Sequence, residues 1–218
     1  EAINGQIKSD LLIAESIAIP LNILMLLFVF GAAVAAGLPM VVALGSIAGS
    51  FFALYIITQF TDVSVFALNL ITGLGLGLGI DYALLIVNRF REELTRTNDV
   101  NASVIKTVTT AGRTVFFSGL TVALVLASMI LFPQYFLKSF AYAGVSVVLF
   151  AVFASLIALP ATLALLGHKV DKWKIRRGDL SPKESGAWSK LATAVMKQPL
   201  LIIIGTVTLL VALASPAL

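Results

Sequence analysis

The run GLGLGIDYALLIVNRFREEL, residues 75–94, carries one acid deep among apolar side chains, Asp81, with Tyr82 beside it. Glycines at 73, 75, 77 and 79 lead up to it. A carboxyl group takes up and releases protons, and burial in a low dielectric penalises its charged form. Ionisable groups inside a bilayer are costly and by default mark a function. Asp81 lies eight residues before Arg89, about 12 Å of helix rise from the nearest basic residue. Asp10, Asp62, Asp99, Asp171 and Asp179 fall at the ends of apolar runs or between them, and Glu15 sits just inside the outer end of the first run. A plainer role for Asp81 is a hydrogen bond to a neighbouring helix. Serine, threonine or asparagine would do that at far lower desolvation cost. What an acid adds is a change of charge, so the chemistry expected here is reversible proton transfer. A membrane potential supplies about 2.3 kcal/mol per charge per 100 mV to drive it. Tyr82 can orient the acid or a water, or pack as an aromatic ring, and the residues alone leave both open.

Other readings of these letters fail at identifiable points. GLGLG does not meet the G-x-G-x-x-G dinucleotide pattern, and no G-K-[ST] follows to make a phosphate loop. GLGID comes within one residue of the G-x-G-D signature of intramembrane aspartyl proteases. Those enzymes need a second aspartate at equal depth to share the acid and base roles, and this chain offers none. Neither a G-x-S-x-G turn nor an H-E-x-x-H helix occurs. His168 is the sole histidine and there is no cysteine, so no metal site, disulfide or cofactor is expected.

The elements that must position Asp81 follow from composition. Of 218 residues 59% are hydrophobic and 12% charged, against roughly 25% charged in soluble domains. Apolar stretches of about 20 residues, the length that crosses a bilayer as helix, recur. The fold class expected is an all-α, polytopic transmembrane bundle of about six spans: residues 11–36, 39–60, 63–88, 114–132, 136–166 and 199–217. The connection AAGLP should separate the first two, and TD the next two. Gly73, Gly77 and Asp81 recur every four residues and share a helix face, with Gly75 and Gly79 on the other side. Small residues in such strips let helices approach closely, so the third span should be central and packed all round. Thirteen of the fifteen lysines and arginines lie between the third and fourth spans or between the fifth and sixth, which makes that side cytoplasmic. The basic segment 168–198 reads as a topology signal that also attracts anionic lipid headgroups, and nucleic acid is not an expected partner. Within it AWSKLATAVMKQP suits an interfacial helix with Trp188, Leu191 and Val195 on one face. The chain begins at Glu1 without a signal peptide's order and ends on an apolar run, so both ends read as cut from a larger protein.

At this point the residues resemble a known family. GLGLGIDYALLIVNRFREEL, then TAGRTVFFSGLTVAL and LFPQYFLKS, are similar to the MmpL-type lipid transporters of the resistance–nodulation–division superfamily. The likeness runs through nearly the whole chain, including WSKLATAVMKQP before the last span. It implies twelve spans in two similar halves, each half with an extracytoplasmic porter domain. This chain would then be spans two to seven. Residues 1–10 would end a porter domain, 11–167 form a five-helix bundle, 168–198 a basic cytoplasmic loop, and 199–218 the first span of the second half. The resemblance also implies a proton relay made of Asp81 and Tyr82, with a second Asp-Tyr pair in the other half. Ser118, in FFSG, matches a serine that faces this relay. Glu15 could line a substrate path near the outer leaflet. The expected function is proton-driven export of lipids or other hydrophobic compounds across the inner membrane, with no enzyme chemistry. The rivals are an intramembrane aspartyl protease and a non-transporting scaffold akin to sterol-sensing bundles.

Overall fold

A computed structural model describes residue 16, residues 20–173 and residues 187–214. Residues 1–10, Glu15, residues 174–186 and the side chains of Trp188 and Leu191 lie outside the described residues. The chain separates into two units between Gly178 and Asp179.

The regular elements of the first unit's described residues are all helices joined by short links. Helix α1 spans Pro20–Phe30, α2 Ala33–Ile57 and α3 Phe66–Thr97. Helix α4, Val100–Thr107, runs through a π turn at Val108–Gly112 into α5, Arg113–Ala127, and a 3-10 turn at Ser128–Leu131, making one rod. A second rod joins α6, Tyr135–Phe153, a π turn at Ala154–Ala158, α7, Leu159–Leu166, and a 3-10 turn at Gly167–Asp171. Helix α2, helix α3 and the rods Val100–Leu131 and Tyr135–Asp171 are each long and apolar enough to cross a membrane. The architecture is an all-α membrane bundle.

Of the six spans expected from hydropathy, four are found among the described residues as helices long enough to cross, with shifted edges, and the first and sixth expected spans hold only the shorter α1 and α9 there. The first break is not at AAGLP but at Gly31–Ala32, where Gly31 takes φ 62°. That left-handed backbone is open to glycine and costly for other residues. Pro39 falls early in α2 and is absorbed there, removing only the N–H that would reach the Ala35 carbonyl. Helix α3 continues nine residues past Asn88. Its 32 residues measure about 48 Å, well beyond a hydrocarbon core of about 30 Å. The extension is held by charge pairs one turn apart, Arg89–Glu92 at 2.7 Å and Glu93–Arg96 at 2.8 Å, and by a further pair, Arg89–Glu93, at 2.6 Å. Asn98 ends it in the left-handed region at φ 55°. Asp99 then caps α4, accepting from the Ala102 N–H at 3.1 Å. The basic segment between the third and fourth spans is therefore helical but for two residues.

Helices α2, α3 and α6 pack against one another, and α5 packs on α6. A Cβ on Gly79 would lie 2.6 Å from the Ala43 Cα, and one on Gly75 would strike the Ile47 side chain and reach Val147 at 3.2 Å. The π turn in the second rod has a local origin. Pro160 offers no N–H to the turn before it and its ring crowds the carbonyl four residues back, so the helix widens at Ala154–Ala158. The second unit holds α8, Ala187–Lys197, a strongly amphipathic helix, and α9, Pro199–Ala214. Pro199 opens α9 at a position where its missing N–H costs nothing.

Candidate functional site

Asp81 sits midway along α3, and its side chain is exposed in this chain. Helix α3 is thus not packed all round. Its Gly75 and Gly79 side is covered by α2 and α6, whereas Gly73 and Gly77 meet nothing within 4 Å and are exposed with Asp81 and Asn88. The difference from expectation is geometrical: the helices of this unit cover one side of α3 and leave the other as an open flank.

Tyr82 turns inward. It is 6% exposed, and its hydroxyl has no hydrogen-bond partner among the described residues, Asp81 included. A Cβ on Gly119 of α5 would lie 3.6 Å from that hydroxyl, so Tyr82 and Gly119 face each other at one level. Helices α3 and α5 run antiparallel, since only Asn98 and Asp99 join α3 to the α4–α5 rod. Stepping back one residue on each turns about 100° toward the same side. Asp81 and Ser118 therefore project from one level of the bundle to the same flank. Ser118 is exposed and lines an open groove of about 480 Å³ with Thr110, Arg113, Thr114, Phe117 and Thr121. The Arg113 guanidinium lies over the Phe117 ring, 5.7 Å from its centre.

One polar feature escaped the sequence reading. Arg91, counted there as a cytoplasmic topology charge, is only 4% exposed. Its Nε and Nη2 each donate to Asp171 Oδ1 at 2.7 Å, and Nη1 donates to the Phe30 carbonyl at 2.9 Å. The latch ties the end of α1, the extension of α3 and the end of the second rod. Glu93, also buried and beyond the apolar stretch of α3, is held below the usual carboxylate range by its hydrogen bond from Arg96. Burial opposes that shift, and the charges of Arg96, Arg89 and Lys106 add to it. The hint in the sequence was spacing: Arg89, Glu93 and Arg96 alternate in sign along one helix face. His168 Nε2 and Asn98 Oδ1 are 3.0 Å apart, and no cluster able to hold a metal occurs among the described residues.

A multi-pass helical membrane protein with an acid midway along α3 is the class these features define. Comparison with protein families then matches residues 2–202 to the MMPL family, and the chain belongs to it. Among curated relatives it is 42% identical over 210 residues to the putative membrane protein SCO6666 of Streptomyces coelicolor, covering 96% of this chain and 29% of that protein. It is 37% identical over 243 residues to the trehalose monomycolate exporter MmpL3 of Mycobacterium tuberculosis, covering 99% of this chain and 26% of the relative. With the mycolic acid-containing lipids exporter MmpL11 of Mycolicibacterium smegmatis the identity is 33% over 216 residues, covering 96% and 22%. The chain thus spans less than a third of the length of these relatives.

Proposed function

We propose that the protein exports lipids or other hydrophobic compounds across the cytoplasmic membrane, driven by the proton-motive force. Transport rather than catalysis is supported by the names of MmpL3 and MmpL11, both exporters of lipids. The proton coupling rests on one observation, the Asp81 carboxyl standing at mid-depth of α3 on a flank of small residues, level with Ser118. Asp81 is the proton acceptor, Tyr82 the second hydroxyl-bearing member of the relay, and Ser118 a secondary polar contact. Gly73 and Gly77 leave room on the flank for a further helix, and Gly75 and Gly79 let α3 slide against α2 and α6. In the whole protein the open flank is covered by a second half carrying its own Asp-Tyr pair. The remainder follows the same plan: residues 1–10 close an extracytoplasmic porter domain, residues 11–167 form the five-helix bundle, residues 168–198 lie basic at the cytoplasmic face, and residues 199–218 begin the second half.

Transport by the full-length protein in proteoliposomes, with an imposed pH gradient, tests this directly. Asp81→Asn abolishes gradient-driven transport and leaves the thermal unfolding profile close to wild type. A variant that transports at the full rate removes Asp81 from the relay.

A further inference from the structure

Among the described residues three buried side-chain atoms lack a hydrogen-bond partner: Tyr82 Oη, Ser155 Oγ and Arg89 Nε. The two hydroxyls belong to elements that pack together, α3 and the π turn of the second rod. Val152 and Tyr82 Oη both face the bare surface of Gly119, and Ser155 follows Val152 by three residues, close to one helical turn, on the same side of its rod. Ser155 is 0% exposed. Other buried serines of this bundle satisfy themselves by donating to the carbonyl four residues back, Ser50 to Ser46, Ser139 to Tyr135 and Ser146 to Tyr142. Ser155, inside the π turn, does not. A hydroxyl buried without a partner costs about 1–3 kcal/mol.

The backbone supplies an acceptor within the same π turn. Because Pro160 has no N–H, one carbonyl loses its donor, that of Leu156 in α-helical register or of Ser155 in π register. This π turn packs against α3 and against the other π turn, Val108–Gly112. Single π turns concentrate at functional sites. Two hydroxyls and a carbonyl make three polar partners, the usual complement of a buried water.

We infer that Tyr82 Oη, Ser155 Oγ and the carbonyl freed by Pro160 hold one internal water, which carries the proton from Tyr82 toward the basic end of the bundle. A proton handed by the proposed relay to Tyr82 Oη releases the phenol's own proton to the water, the water passes one to Ser155 Oγ, and that hydroxyl releases its own to solvent at the basic end of the bundle, so every oxygen keeps its starting protonation. The proton step rests on the proposed relay; the water site rests on packing alone.

X-ray hydroxyl-radical labelling of the full-length protein, read by mass spectrometry, separates the two, because labelling of a buried ring needs a water beside it. Tyr82 labels several-fold more than Phe90, a ring at least as buried, and the excess disappears in Ser155→Ala. Equal labelling of the two rings overturns the site. In proteoliposomes Ser155→Ala slows gradient-driven transport several-fold and Ser155→Thr, which keeps the hydroxyl, restores it. Wild-type transport by Ser155→Ala, with Asp81→Asn inactive, removes the water from the relay and leaves the relay standing. Full transport by Asp81→Asn removes the relay whatever the labelling shows.

Discussion

Gly79 and Gly77 stand two residues apart on α3 and answer different questions. A side chain on Gly79 meets the backbone of Ala43, its Cα at 2.6 Å and its N at 3.1 Å, with no flexible group to give way. Opening that contact separates α2 from α3 and breaks the reach of Ser46 Oγ to the Gly75 carbonyl at 3.4 Å. Gly79→Ala is expected to lower stability by about 1–3 kcal/mol, measured as a fall in the thermal unfolding midpoint in detergent. Gly73 and Gly77 meet nothing, so alanine there leaves the unit itself unchanged. The alternation of the four glycines announced two bare strips in the sequence. Which strip is filled within this unit depends on Ala43, Ile47 and Val147, contacts whose partners are remote in the chain.

Helix identity was written in hydropathy, and the helix ends were written in single residues of a kind that a hydropathy window averages away. AAGLP was expected as the first break, and the backbone turns instead at Gly31, where φ is 62°. Gly31→Ala forces a side chain into φ 62° and costs roughly 1–2 kcal/mol, while Pro39→Ala leaves α2 at least as stable; paired thermal unfolding measurements compare them. The far end of α3 was legible only in part. Its charges set the expected orientation of the bundle, yet the same letters concealed that Arg91 is buried, because Asp171 and the Phe30 carbonyl are 80 and 61 residues away. Arg91→Ala strands both acceptors. Since Asp171 retains 26% exposure, the loss is set at about 2–3 kcal/mol, below the roughly 3–5 kcal/mol of a fully buried pair. Replacing the pair together, Arg91→Met with Asp171→Leu, recovers most of that loss in the same unfolding assay.

At the scale of the whole molecule the open flank of α3 carries the argument. Gly73, Gly77, Asp81 and Asn88 are exposed along it, and a lone carboxyl facing lipid tails would be among the costliest arrangements a membrane protein could adopt. That Asp81 lies within the apolar stretch of α3, eight residues before Arg89, was readable from its neighbours in sequence. That it looks out of this unit, while Tyr82 looks in, was not, because that depends on which helices lie beside α3. A covering second half predicts a contrast between two glycines that look alike here. Gly45 on α2 and Gly77 on α3 are both exposed, with nothing within 4 Å of an added Cβ. If the Gly77 flank meets another helix in the full-length protein, Gly77→Leu pushes that helix away, lowers stability by about 1–3 kcal/mol and stops gradient-driven transport, whereas Gly45→Leu transports as wild type. Wild-type transport and stability in Gly77→Leu would place Asp81 against lipid, where no partner could take its proton, and the relay would have to be sought elsewhere.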